Sequence, residues 1–171
     1  MVFDFGWYVF GAGVCALAVL IDTRTRKIPN WLNALTAIVM IAGLVLTGIH
    51  HSNPWLVVAG HGLGGLLLPL GLLAPLFIIR ALGAGDIKLM MALGILWGPW
   101  SALYHTLFMA LAGGLIAGLV FAYHVGWQGL WGLLQSGGRG LSSYQALKIK
   151  FPYSLAILAS YAVTLWWRHL I

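Results

Sequence analysis

A chain of 171 residues, 61% of them hydrophobic and only 7% charged, lies outside the range of soluble globular domains and fits an integral membrane protein. The formal net charge of +6 could signal nucleic-acid binding, but the cations build no basic face interleaved with aromatic residues, so no nucleic-acid partner is expected. Continuous apolar runs such as Leu63 to Ile79 lack the alternation of barrel strands. The expected fold is therefore all-α, a polytopic membrane helical bundle forming one domain over residues 1–171.

A helix needs about 20 residues to cross about 30 Å of hydrocarbon, and the apolar runs allow about six crossings. The first is Gly6 to Ile21; Met1 to Tyr8 carry no Lys or Arg, so this run reads as a retained helix rather than a secretory signal. Cys15 within it has no partner cysteine and reads as a small packing residue. The polar stretch from Asp22 to Asn30 follows. Pro29 disfavours helix at the residue before it, and Asn30 is the candidate cap of the second crossing, Trp31 to Gly48. His50 to Pro54 forms an outer turn, and Trp55 opens the third crossing, which ends at Ile79 and is dense in glycine at Gly60, Gly62, Gly64 and Gly65.

The break Gly83-Ala84-Gly85-Asp86 precedes a short fourth run, Ile87 to Trp97, which reaches only about 17 Å at 1.5 Å per residue. Gly98-Pro99 makes a second outer turn. Ser101 to Tyr123 is the fifth run, where Gly114 and Gly118 have the spacing of close helix packing within the bundle. His124 to Phe151 reads as a long polar loop, and Pro152 to Trp167 is the sixth crossing. With the amino terminus outside, Arg24, Arg26, Lys27, Arg80, Lys88, Arg139, Lys148 and Lys150 share one face and only Arg168 lies opposite. The positive-inside rule makes that face cytoplasmic.

Only three carboxylates occur, Asp4, Asp22 and Asp86. Asp4 reads as a solvated terminal charge. Asp22 and Asp86 sit at the ends of apolar runs on the cytoplasmic side, where an acidic side chain is costly and so a functional candidate. Two converging carboxyl groups share a proton, because both cannot be charged easily. The charged member then activates water while the neutral one polarises a peptide carbonyl, as in aspartic proteases. The structural alternatives are an ion pair for Asp22 and a helix N-cap for Asp86. Gly83 and Gly85 permit unusual backbone angles and close approach of an extended peptide. Lys88, two residues beyond Asp86, does not face it on a helix and reads as a headgroup or substrate anchor. Arg24, Arg26 and Lys27 read as lipid anchors. The histidines show no ligand spacing and Gly-x-Ser-x-Gly is absent, so neither a metal, a cofactor nor a serine nucleophile is expected.

Asp22 with its basic run and Ile28-Pro29-Asn30, the segment Gly83-Ala84-Gly85-Asp86-Ile87-Lys88-Leu89, and Phe151-Pro152-Tyr153-Ser154-Leu155-Ala156-Ile157 together resemble the type IV prepilin peptidase family. These are integral-membrane aspartic endopeptidases with a Gly-x-Gly-Asp signature. The resemblance implies that Asp22 and Asp86 are catalytic, and that Gly83, Gly85, Lys88, Pro29 and Asn30 support the motifs. It also implies type IV prepilin or pseudopilin substrates, cut between a short basic leader and a hydrophobic helix at the cytoplasmic face of the bacterial inner membrane. Larger members carry an insertion with paired cysteines and also methylate the new amino terminus; one cysteine and a short loop imply peptidase activity alone, as in the small Flp-type enzymes. Ser154 stands where the family usually has glycine, which reads as a packing difference. Competing readings are a proton-coupled carrier or channel component relaying protons through Asp22 and Asp86, a presenilin-like protease, and a noncatalytic assembly scaffold. The presenilin-like reading is disfavoured because no tyrosine precedes the partner aspartate and Pro-Ala-Leu is absent.

Overall fold

The computed structural model describes residues 4–78, 82–135 and 153–170, and every regular element within them is a helix. In chain order these are α1 (Phe5–Thr25), α2 (Asn30–His50), α3 (Trp55–Ile78), α4 (Ala84–Gln135) and α5 (Ser154–Leu170). The first three are long and apolar enough to cross a membrane. Large side chains on their outer faces, including Leu20, Ile38, Leu46 and Leu56, are exposed, as suits helices whose solvent is lipid. The protein is a membrane protein.

Helix α1 runs one turn further than its apolar residues. It carries Asp22 inside the helix and ends at Arg26, a non-glycine residue in the left-handed region (φ 54°, ψ 31°). The Arg26 N–H closes on the Asp22 carbonyl at 2.7 Å, and Thr25 Oγ1 bonds the Ile21 and Lys27 carbonyls. Pro29, extended, occupies the cap position of α2. Asn30 is thus the first residue inside that helix rather than its cap.

The 52-residue element α4 changes direction within itself. Gly85 lies against Ile28, beside the end of α1, and Leu96 against Gly11 near its start. The chain therefore climbs along α1 from the Asp22 end toward the Tyr8 end. At Gly98 the backbone takes φ +70°, a left-handed conformation open to glycine, and Pro99 follows. Beyond it, His105 stacks edge-on to Tyr161 at 5.6 Å between ring centroids, while Gly113 meets Tyr153 and Ala156. The second leg thus descends along α5 back to the Asp22 end. Its helix continues to Gln135, past His124, where a polar loop was expected. Trp127, Leu130, Trp131 and Leu134 recur at i, i+3, i+4 and i+7, the spacing of an amphipathic helix, and that spacing outweighs the interspersed glycines. The rest of the expected loop, with Arg139, Lys148 and Lys150, lies outside the described residues.

Helix α3 packs against the first leg of α4 through glycine. A Cβ at Gly65 would fall on the Gly94 carbonyl and one at Gly94 on the Gly65 carbonyl, while Gly64 faces Pro99. The expected packing role of Gly114 and Gly118 is not observed among the described residues. A Cβ at either would meet none of their atoms within 4 Å, and Gly113 instead makes the close contact with α5. Between the helices at the Tyr8 end lies an aromatic layer of Tyr8, Trp97, His105 and Tyr161, in which Tyr161 donates its hydroxyl to the Tyr8 carbonyl at 2.8 Å. Cys15 is buried and unpaired, a packing residue as expected.

Candidate active site

Three contacts tie the start of α4 to the loop between α1 and α2 and to the first turn of α2. Ile28 is buried, and a Cβ on Gly85 would sit 3.0 Å from its carbonyl oxygen and 3.1 Å from its Cβ. Asn33 donates from Nδ2 to the Gly85 carbonyl at 3.1 Å. Lys88 donates from Nζ to Asn30 Oδ1 at 3.0 Å, which explains why the Asn30 side chain is not spent on capping. Lys88 forms no ion pair with Asp86 among the described residues. Pro29, extended ahead of α2, turns the chain so that Ile28, Asn30 and Asn33 all face the start of α4.

Gly83 and Gly85 act by small size rather than by unusual backbone angles, since Gly98 is the glycine with positive φ among the described residues. Asp86 is the third residue of α4, and its Oδ2 accepts the Gly83 N–H at 3.2 Å. This is the return half of a capping box, in which an acidic third residue satisfies a free N–H ahead of the first turn. The expected N-cap alternative is therefore partly realised, with Asp86 capping backward from inside the helix. It leaves Asp86 partly buried at the motif break, ahead of the apolar run that begins at Ile87.

Asp22 reaches the same end of the bundle from α1. It is buried, 7% exposed, and its Oδ2 accepts the Ser154 hydroxyl at 2.7 Å. Tyr153, the residue before Ser154, lies within electrostatic reach of Asp86. Asp22 and Asp86 thus converge on the start of α5 from two helices. Asp4 lies at the opposite end of α1, exposed, with His51 Nε2 at 3.9 Å.

A family model described as the type IV leader peptidase family matches residues 9–122. The chain belongs to that family. Neither curated proteins nor solved structures give a match. The matched span of this leader peptidase holds both aspartates, the loop at Ile28 and the Gly83–Asp86 break, and stops short of Tyr153 and Ser154.

The two aspartates of the leader peptidase are electrostatically coupled. Burial first, and the charge of Asp22 second, push the Asp86 carboxyl up to about 6, against the opposing pull of the Gly83 N–H and its own.

Two residues of this site escaped the sequence reading as participants, Asn33 and Ser154. Asn33 follows Asn30 by three residues in an otherwise apolar run, and three-residue spacing puts both amides on one helix face; that was the available signal. Asn33→Ala should cost about 0.5–1.5 kcal/mol of stability through the lost bond to Gly85. Asn33→Asp should cost about 1–3 kcal/mol, because a carboxylate would then oppose a carbonyl. Unfolding in detergent measures both, and equal stability of the two variants would contradict the Gly85 contact.

Proposed function

We propose that this leader peptidase is an aspartic endopeptidase that removes the short basic leader of type IV prepilins and pseudopilins at the cytoplasmic face of the bacterial inner membrane. The observation carrying this reading is the meeting of Asp22 and Asp86 at one end of the bundle, close enough for the charge of Asp22 to act on Asp86. Hydrolysis needs one carboxylate to take a proton from water and one carboxylic acid to give a proton to the scissile carbonyl. The water oxygen bonds to the carbonyl carbon while one aspartate takes the water proton and the other protonates the carbonyl oxygen. On collapse the C–N bond breaks, the leaving nitrogen takes the proton from the first aspartate, and the second recovers its own from a hydroxyl of the intermediate. Water adds across the amide and both groups return to their starting states.

Topology follows the same reading. The amino terminus is outside, α1, α2, α3, the two legs of α4, and α5 make six crossings, and the Asp22 end faces the cytoplasm with Arg24, Arg26 and Lys27 beside the lipid headgroups. A substrate with a basic leader followed by an apolar helix would place its cleavage point at that boundary. Peptidase activity without methyl transfer is proposed for the compact chain.

A proton-donating Asp86 gives the activity a definite pH dependence. Purified protein given a prepilin in detergent should cleave most slowly on the alkaline side. The rate should fall as pH rises through about 6, where Asp86 loses its proton, by about tenfold per pH unit beyond it when chemistry limits the rate. Mass analysis of both products at each pH is the test. A cleavage rate that keeps climbing from pH 6 to pH 8 would remove Asp86 from the role of acid, and proton flux in liposomes without any cleavage would favour the carrier reading.

A further inference from the structure

The bond between Ser154 and Asp22 joins two buried side chains, 1% and 7% exposed, at 2.7 Å. Ser154 lies outside the span matched by the family model, at a position where the family that the chain resembles usually has glycine. A hydroxyl donating to a carboxylate makes a charge-assisted bond, roughly twice as strong as a neutral one. It therefore favours the charged form of its acceptor. Serine is the first residue of α5, so the hydroxyl is held by the helix rather than by a mobile loop. Asp86 has a different environment: it faces backbone N–H groups, that of Gly83 at 3.2 Å and its own, and no side-chain hydroxyl among the described hydrogen bonds.

We propose that Ser154 is a positioning residue that fixes Asp22 as the charged member of the pair, with Oδ2 occupied and Oδ1 left to take the proton from water. Asp22 is then the base and Asp86 the acid. Resting on the peptidase reading, this assignment removes the symmetry that two bare carboxyl groups would have. The upward shift of Asp86 to about 6 agrees with it.

Other ionisable groups on the elements that meet there do not duplicate this role. Arg24 is in the last turn of α1, with Arg26 and Lys27 beyond it. Lys88 on α4 is engaged by Asn30, and Tyr153 precedes α5. The start of α2 presents Asn30 and Asn33, neither of which titrates, and α3 ends in Leu76, Phe77 and Ile78.

The chain contains three carboxylic side chains, all aspartates, so full-length protein labelled with carbon-13 at the aspartate carboxyl carbon gives a readable titration in detergent. Asp22→Asn and Asp86→Asn assign the signals. The signal assigned to Asp22 should ionise first, and its step should move up by about one pH unit in both Ser154→Ala and Ser154→Gly. Ser154→Thr, which keeps the hydroxyl, should keep that step where it is. In cleavage assays the acidic limb of the rate should move with it, and kcat should fall about tenfold while KM holds. An Asp22 step unmoved in both Ala and Gly variants, or Asp86 ionising first in the parent protein, overturns the assignment. Failure of the parent protein to cleave a prepilin, with the titrations as expected, refutes the peptidase reading and leaves the Ser154 to Asp22 coupling standing. The two failures are therefore distinguishable.

Discussion

Asp22→Asn and Asp86→Asn are each expected to reduce prepilin cleavage by about 10²–10⁴-fold, the usual contribution of a positioned acid or base. Asparagine keeps the size and an acceptor oxygen of aspartate but cannot exchange a proton at the relevant pH. In Asp22→Asn the amide oxygen could still accept the Ser154 hydroxyl, and in Asp86→Asn it could still accept the Gly83 N–H, since both existing bonds are donated to the carboxylate. The fold should therefore survive while the chemistry is lost. The double variant should be little worse than either single one, because groups that act as a unit fail together. Parent and variants are compared by rate of leader release at equal membrane abundance. Normal cleavage by either single variant would contradict the two-carboxylate mechanism, and a scaffold role would survive asparagine at both positions.

Gly65→Ala and Gly94→Ala should be the most damaging small changes away from the aspartates. Each added methyl would land on the partner glycine's carbonyl, and a backbone group, unlike a side-chain tip, cannot swing aside. Overpacking costs about 1–3 kcal/mol even where side chains give way, so the expected loss lies at or above the upper end of that range. Separation of α3 from the first leg of α4 would also shift the helix that carries Asp86, and activity should fall together with stability. Gly60→Ala and Gly114→Ala supply the contrast. Among the described residues neither methyl would meet an atom within 4 Å, so each should be neutral or mildly stabilising, by up to about 1 kcal/mol from the better helix former. Unfolding midpoints in a fixed detergent measure all four. Equal midpoints across the two pairs would show that the crossing is not held by close glycine contact.

Much of the site was legible in the sequence because charge is rare in it. Two aspartates at the edges of apolar runs stand out against 7% charged residues, and the same polarity pattern places both at one end of the helices. The turn at Gly98-Pro99 was legible for a local reason, since a positive φ suits glycine and proline tolerates the start of the next leg. Contacts between remote segments were not legible. Gly83 and Gly85 suggested backbone freedom, whereas the need for glycine comes from Ile28 pressed against Gly85 and from the Asp86 carboxylate beside Gly83. Asn30 suggested a cap, but its acceptor is claimed by Lys88, 58 residues away. Ser154 looked like a packing difference until α5 placed its hydroxyl on Asp22. Gly114 and Gly118 matched a helix-packing spacing without having a close neighbour on that face among the described residues. A period of small residues says which neighbours are permitted, and only the fold says which are present.

The mechanism is tested most directly by a single turnover of the purified protein on a prepilin in water enriched in oxygen-18, with both products weighed by mass spectrometry. Direct attack by water between Asp22 and Asp86 predicts a cut between the basic leader and the apolar helix, with one heavy oxygen in the new carboxyl group of the leader. No cut, or a leader whose new carboxyl group carries no heavy oxygen after the first turnover, would contradict it.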